Sequence, residues 1–332
     1  MRLIASFAAA LLSAGLSAAQ ILPGKAPLLD AHNCYPYEGK WADRIDRALS
    51  TGFPVAIEQD LAWFTDPKTG IARSIISHGK PFTGDEPGLR EHFFERVRPI
   101  VERALREGDR SHWPLIVLHF DFKDNEPAHF RAVWKLLGQY EAWITTGRKT
   151  ADPANLSPLD VKPLLVLTED SDVQEQVFYG EVPVGAKLRL FGSAKVDESF
   201  LRGLDKEERL TARVKVPPER LVAKPPGNYR RWWNNSWYVV ERGGAPQAGE
   251  WTADDDARLK ALVNHAHKLG YWIRFYTLDG FAPDEDRGWG NDYNFGSRDA
   301  VLKRWRAAIQ AGVDLIATDQ YEDLAAVFAG AQ

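Results

Sequence analysis

Short apolar segments alternate with longer stretches of helical spacing along most of this 332-residue chain. Runs such as residues 27–31 and 54–61 have the length of buried strands, whereas stretches such as residues 254–269 place apolar side chains every three or four positions. This alternation is typical of parallel βα units with right-handed crossovers. Close to eight units can be counted, which predicts an α/β fold of the (βα)₈ TIM-barrel type. A doubly wound open sheet is the alternative, but no glycine-rich phosphate loop follows the first strand.

Predicted strands and helices follow one another along the chain. Strands are predicted over residues 27–31, 54–61, 115–123, 163–168, 187–191, 236–241, 271–277 and 313–318. Helices are predicted over residues 41–50, 88–106, 254–269 and 297–311, with another through Phe130, Val133, Trp134 and Leu137. The second unit also contains a hairpin-like excursion at residues 66–70 and an apolar segment at 71–77. The Pro-rich stretch 216–227 obscures the boundary between the fifth and sixth strands.

The N-terminus has the pattern of a secretory signal peptide. Arg2 precedes an apolar run over residues 3–16, and small residues follow as far as Ala19. A buried helix or a membrane anchor is the alternative, but the run is shorter than the roughly 20 residues that a span needs. We therefore expect residues 1–19 to be removed, a secreted or periplasmic protein that begins near Gln20, and one barrel domain over residues 20–332.

Composition excludes some other classes of protein. The net charge of −4 and the ordinary fractions of apolar and charged residues indicate neither a nucleic-acid-binding surface nor a disordered chain. Cys34 is the only cysteine, so an exported form would contain no intramolecular disulfide. A thiolate nucleophile at Cys34 is not favoured.

Polar residues stand where the first and second predicted strands end. His32 and Asn33 follow the first strand, at the rim where barrel enzymes have their active sites. Glu58 and Asp60 alternate along the second strand and therefore point to one face. Two converging carboxylates repel each other, whereas a hard divalent cation stabilises both as anions. A salt-bridged pair facing surface lysines or arginines is the alternative.

The third predicted strand repeats this pattern. His119, Asp121 and Lys123 share one face of the strand, while two phenylalanines take the other. Asp121 is expected to complete an oxygen cage with Asn33 and the two carboxylates of the second strand. Lys123 would supply a positive charge to an anionic substrate, and His119 is interpreted as structural.

His78 follows an apolar segment and precedes Gly79, which makes it the natural partner of His32. Phosphodiester cleavage needs a base for the attacking hydroxyl or water and an acid for the departing oxygen, and two imidazoles can divide these roles. Arg274 and Tyr276 share a face of the seventh strand and are candidates for a phosphate or headgroup contact. The Trp-rich segment 232–238 fits an aromatic rim or a packed barrel layer equally well, and we assign it no role.

These residues, in this order and spacing, resemble the phosphatidylinositol-specific phospholipase C and glycerophosphodiester phosphodiesterase superfamily. The resemblance rests on His32, Asn33, Glu58, Asp60, His78 and the acidic third strand, and residues 312–319 resemble the superfamily's last barrel strand. It implies acid–base catalysis by His32 and His78 and one Ca²⁺ or Mg²⁺ held by Glu58 and Asp60. Asn33 matches a ligand of the calcium-dependent phospholipases. The next acidic ligand in the superfamily is commonly Glu, whereas Asp121 is shorter.

The expected function is metal-dependent hydrolysis of a small-molecule or lipid phosphodiester. Transient contact with a membrane surface is compatible with it, and no nucleic acid or obligate protein partner is implied. A catalytically silent barrel that binds a phosphate ester or lipid headgroup is the alternative, since fold alone does not separate the two. A glycosidase using Glu58 or Asp60 ranks last, because it gives the two histidines no task.

Overall fold

The computed structural model describes residues 26–37, 39–242, 249–282, 285 and 294–330. The predicted signal peptide, residues 1–19, lies outside the described residues. None of the helices within the described part of the chain combines the length and hydropathy of a membrane span.

Within the described residues, the strands in chain order are β1 Leu28–Ala31, β2 Val55–Thr65, β3 Ala72–Ile76, β4 Ile116–Phe122, β5 Gly147–Arg148, β6 Leu164–Thr168, β7 Lys187–Leu188, β8 Phe191–Ser193, β9 Arg230–Ser236, β10 Trp272–Tyr276 and β11 Leu315–Thr318. The helices are α1 Arg44–Ser50, α2 Glu95–Glu107, α3 Pro127–Gln139, α4 Asp172–Glu175, α5 Lys206–Lys215, α6 Pro218–Leu221, α7 Ala253–Leu269, α8 Arg298–Ala311 and α9 Tyr321–Phe328. A π-helical turn, Arg90–Phe94, leads into α2.

Eight strands close into a parallel barrel. Their order is β1-β11-β10-β9-β8-β6-β4-β2, and β1 also pairs with β2, which completes the ring. The ninth strand of this sheet, β3, lies antiparallel to the extended end of β2 and forms the predicted hairpin. The (βα)₈ barrel predicted from the alternation is therefore confirmed.

Local sequence explains where the outer helices begin and end. Thr252 caps α7 through a reciprocal bond with Asp255, and Ser297 caps α8. Gly270 and Gly312 end these two helices with φ angles of 100° and 81°, a left-handed conformation that favours glycine. The apolar faces of these helices pack on the barrel wall in one continuous core.

Two predicted strands were misplaced. The sixth barrel strand is β9, Arg230–Ser236, and not residues 236–241, where the chain forms a 3₁₀ turn at Trp237–Val239. The fifth barrel strand is β8, Phe191–Ser193, whereas the predicted segment 187–191 begins with β7, which pairs with β5 in a separate two-stranded sheet. The other predicted barrel strands match the structure to within a few residues.

Candidate active site at the barrel mouth

The pairing of β2 with β4 brings the predicted acidic ligands together. In this register Glu58 lies beside His119, and Asp60 lies beside Asp121. Glu58 and Asp60 are buried and Asp121 is partly exposed. One carboxyl oxygen from each of Glu58, Asp60 and Asp121 lies within 4.8 Å of the others. We call these three residues the acidic cluster.

The acidic cluster fits a divalent cation by its chemistry. Burial raises the pKa of Asp60 well above its usual range, and the neighbouring charge of Asp121 raises it further. The pKa of Asp121 is also raised, first by burial and then by the charges of Glu169 and Glu58. A cation that prefers oxygen ligands would hold these groups ionised in place of protons. The residues present therefore suit Ca²⁺ or Mg²⁺.

Glu58 differs from its two neighbours in the sign of its pKa shift. Burial opposes its charge, but the positive charges of His32, Arg274 and His119 together hold its pKa well below the usual range. Arg274 Nη2 lies 3.5 Å from Glu58 Oε2, and His119 Nδ1 lies 3.6 Å from Oε1. Glu58 is thus kept as a carboxylate by the protein itself.

Lys123 follows β4 and reaches the acidic cluster. Its Nζ lies 2.8 Å from Asp60 Oδ2 and 2.7 Å from Asp121 Oδ2. Burial opposes the ammonium, but these two carboxylates raise the pKa of Lys123 above its usual value. The side chain remains 21% exposed, so the structure places a positive charge at the mouth beside the predicted metal ligands.

His32 is fixed in the mouth by a carboxylate from the last barrel strand. Its Nδ1 lies 2.8 Å from Oδ1 of Asp319, which follows β11. A carboxylate only accepts hydrogen bonds, so Nδ1 carries a proton. Nε2 lies 3.0 Å from the Thr277 hydroxyl and 3.5 Å from Glu58 Oε2. Burial lowers the pKa of His32, but the carboxylates of Glu58 and Asp319 outweigh burial and raise the pKa to about 9.

Asn33 joins the two sides of this arrangement. Its amide nitrogen lies 2.8 Å from His32 Nδ1 and donates to Asp319 Oδ1 at 3.2 Å. Its amide oxygen accepts from the Tyr35 hydroxyl at 2.8 Å, and that hydroxyl also lies 2.5 Å from Asp60 Oδ2. The predicted ligand oxygen of Asn33 is therefore connected to the acidic cluster through Tyr35.

His78 lies after β3, with an exposed side chain. Its ring meets the ring of Tyr37 edge-on at 5.8 Å. The pKa of His78 is lowered, first by partial burial and then by the positive charges of Lys123 and His32. His78 is therefore within electrostatic reach of Lys123 and His32.

Arg274 and Tyr276 take different positions. Arg274 is 1% exposed. It donates through Nε to Asp30 on β1, and through Nη1 to Asn234 Oδ1 at 3.1 Å. Its guanidinium thus lies beneath the mouth, next to Glu58. The ring of Tyr276 is only partly buried and stacks on the ring of His32 at 6.5 Å. A substrate contact by Arg274 or Tyr276 stays a prediction.

Two further residues of the site were not identified from the sequence as site residues. Asp319 holds His32, and Glu169, which follows β6, accepts from His119 Nε2 at 2.6 Å and from Asn234 Nδ2 at 2.8 Å. Both stand directly after a barrel strand, which is the position that marked His32. Applying that rule to every strand end would have found both.

Cys34 and three tryptophans of the Trp-rich segment are buried. Burial raises the pKa of the Cys34 thiol far above its ordinary value, which disfavours a thiolate. Trp232, Trp233 and Trp237 are all buried, and Trp232 Nε1 donates to the Thr168 carbonyl at 2.9 Å. These tryptophans form a packed barrel layer.

Comparison with known proteins finds similar solved structures. Neither a protein-family model nor a curated protein matches the sequence. A glycerophosphoryl diester phosphodiesterase from Parabacteroides distasonis matches at 13% identity over 94% of this chain and 89% of its own, with a TM-score of 0.41. Another glycerophosphodiester phosphodiesterase from the same organism matches at 11% identity over 93% of this chain and 98% of its own, with a TM-score of 0.44.

Proposed function

We propose that this chain hydrolyses phosphoric diesters with the help of one divalent cation, Ca²⁺ or Mg²⁺. The observation that carries the proposal is the position of His32. Its Nδ1 is bound to Asp319 at 2.8 Å, and its Nε2 lies 3.5 Å from Glu58, a member of the acidic cluster. An oriented imidazole beside a set of metal-type oxygens suits proton transfer on a bound phosphate ester.

The two histidines divide the acid and base roles in this proposal. Asp319 keeps the proton of His32 on Nδ1, so proton exchange with the substrate takes place at Nε2. His78, on the exposed rim, serves the oxygen on the other side of the phosphorus. Lys123 binds a non-bridging phosphate oxygen through its partly exposed ammonium.

Glu58, Asp60 and Asp121 are the proposed cation ligands, with Asn33 as a further oxygen donor. A bound cation would place positive charge beside a phosphate oxygen and make the phosphorus more electrophilic. Tyr35 orients the two neighbouring acceptors, Asn33 and Asp60, through its hydroxyl.

The test is turnover of a set of diesters with and without a chelator. Glycerophosphodiesters, phosphatidylinositol, sphingomyelin and lysophospholipids cover different headgroups, and chelation is expected to abolish turnover and lower the melting temperature. His32→Ala and His78→Ala are each expected to lower kcat by about 10² to 10⁴ with cation binding retained. Because the two histidines act as a unit, the double variant should be little worse than either single one.

His112→Ala is the matched control, because His112 is an exposed histidine in the loop before β4, at the opposite end of that strand from the mouth. It should behave as the wild type. Turnover that survives within a few-fold in both single variants at saturating cation would contradict the catalytic assignment and favour a phosphate-binding barrel.

We also propose that the protein is exported after removal of residues 1–19, on the basis of the apolar run at residues 3–16. N-terminal sequencing of protein recovered from the periplasm or medium should then read from a residue near Gln20. An intact Met1 on protein recovered only from the cytoplasm would rule this out.

A further inference from the structure

Glu169 is a carboxylate at the mouth that the proposed reaction does not use. It follows β6, lies outside the acidic cluster, and has a side chain that is 28% exposed. Its Oε1 accepts from His119 Nε2 at 2.6 Å and from Asn234 Nδ2 at 2.8 Å, while Oε2 accepts from the same Asn234 nitrogen at 3.0 Å.

These contacts hold the carboxylate in one orientation. His119 comes from β4, next to β6 on one side, and Asn234 from β9, beyond β8 on the other side, so Glu169 is held from two directions along the barrel wall. His119 is fully buried and its own ring packs edge-on against Trp232 at 4.8 Å. A carboxylate has about four acceptor positions, and the hydrogen bonds of Glu169 to His119 and Asn234 use three. Within the described ranges Oε2 accepts no other hydrogen bond and therefore keeps an acceptor position for a ligand.

The charge of Glu169 decides which part of a substrate it can face. A fixed negative charge repels the phosphate of a diester, so it faces a part of the substrate that carries no negative charge. That part is the alcohol, and a carboxylate binds it best through an O–H or N–H donor.

We propose that Glu169 contacts the alcohol portion of the substrate and selects diesters whose alcohol carries a hydrogen-bond donor, either a hydroxyl or a primary ammonium. A quaternary ammonium is attracted by the charge of Glu169 but donates no hydrogen bond, so choline diesters are disfavoured relative to ethanolamine diesters. This inference rests on the proposed function, because it names the substrate class of that same site.

The test compares kcat/KM for three methyl phosphodiesters, which share methanol as one alcohol and differ in the second alcohol: ethanolamine, glycerol or choline. The ethanolamine and glycerol arms separate an ammonium donor from a hydroxyl donor. The wild type should prefer at least one donor-bearing diester over the choline diester, and Glu169→Gln should lower that preference about 10-fold or more, the effect of losing one hydrogen bond to a charged group. Glu91→Gln, at an exposed glutamate on the outer turn before α2, is the matched control and should keep the wild-type ratio.

Two outcomes would overturn the proposal: an unchanged ratio in Glu169→Gln, or an equal fall for all three diesters, which is the result expected if Glu169 only positions His119. If Glu169→Gln does not fold, Glu169→Asp replaces it, since the shortened carboxylate withdraws from the ligand and should also lower the ratio. If the wild type hydrolyses none of the diesters, the proposed function has failed. Calorimetry then measures how tightly cation-loaded protein binds each of the three diesters. If the ratio of these affinities is the same in the wild type and in Glu169→Gln, the inference is overturned.

Discussion

At the residue scale, His92 shows how burial changes an ionisable group outside the mouth. It lies in the π-helical turn before α2 and is 6% exposed, and within the described residues its Nε2 has no hydrogen-bond partner. Burial lowers the pKa of His92 to about 4, and the positive charge of Arg96 contributes in the same direction. The folded protein therefore keeps this imidazole neutral at a pH where the unfolded chain protonates it.

The sign of the resulting pH dependence follows from proton binding. The ordinary pKa of histidine is 6.5, and in the folded protein the pKa of His92 is about 4. Between these two pH values the unfolded chain binds more protons at His92 than the folded protein does, so stability falls as the pH falls through this range. This one group accounts for a loss of about 3 kcal/mol by pH 4. Between pH 7 and pH 4 the free energy of unfolding of His92→Asn should therefore fall by about 3 kcal/mol less than that of the wild type. Urea unfolding at each pH measures this difference.

His112→Asn, at an exposed histidine, is the control for this measurement and should keep the wild-type pH dependence. Equal pH dependence in His92→Asn and the wild type would show that His92 is accessible to protons in the folded state.

Some residues of the site could be predicted from local sequence and others could not, depending on how far apart the interacting residues lie along the chain. Glu58 and Asp60 could be predicted to converge, because two positions on one strand share a face whatever the rest of the fold does. The bond between His32 and Asp319 joins residues 287 positions apart, and that between His119 and Glu169 joins residues 50 apart. The first pair forms when β11 closes the barrel against β1, and the second forms when β4 pairs with β6. The strand-end rule finds the separate residues, but local sequence does not show which of them pair.

At the element scale, β9 shows why the hydrophobic pattern failed where it did. A barrel strand is covered on both faces, by the interior and by the outer helices, and Trp232 and Trp233 are accordingly both fully buried. Asn234 faces the polar interior, where it meets Glu169 and Arg274. The strand therefore shows neither an apolar run nor a clean alternation, and the apolar residues after Ser236 gave the stronger but wrong signal.

The short strand β8 was misplaced for a related reason. It has only three residues, and Gly192 in its centre leaves room for the ring of Tyr229, whose Cε1 would clash with a Cβ at that position. A strand this short that contains a glycine has little apolar pattern of its own. Its place in the barrel is set by pairing with β6 and β9, which is tertiary information.

At the scale of the whole molecule, closure of the barrel creates a polar layer beneath the mouth. Members of this layer come from different strands: Asp30 from β1, Glu58 from β2, His119 from β4, Asn234 from β9 and Arg274 from β10. Arg274 binds Asp30 and Asn234 and lies near Glu58, so one buried cation links β10 to three other strands. The charge of Glu58 is thus balanced by Arg274, which comes from a distant strand, whereas Lys123, directly after the neighbouring β4, balances Asp60 and Asp121.

A second buried ion pair, between Arg304 and Glu241, lies outside the barrel mouth. Arg304 on α8 donates to Glu241 through Nε at 2.6 Å and through Nη2 at 2.7 Å, and both residues are nearly inaccessible. Nη2 also donates to the Gly249 carbonyl at 3.0 Å, and the guanidinium lies 4.1 Å from the ring centre of Phe295. The pair therefore connects α8 with the segments that follow β9 and precede α7.

Removing one charge of this pair should cost more than removing both. Arg304→Met leaves the Glu241 carboxylate buried without its cation and is expected to lower the free energy of unfolding by about 3–5 kcal/mol. In the double variant Arg304→Met/Glu241→Gln no buried charge remains, and the glutamine oxygen can still accept from Trp237 Nε1, which now donates to Glu241 at 2.5 Å. We therefore expect the double variant to be more stable than Arg304→Met alone, as measured by urea unfolding at neutral pH. A double variant as unstable as the single one, or less stable, would mean that lost packing of the arginine side chain, and not the uncompensated charge, sets the cost.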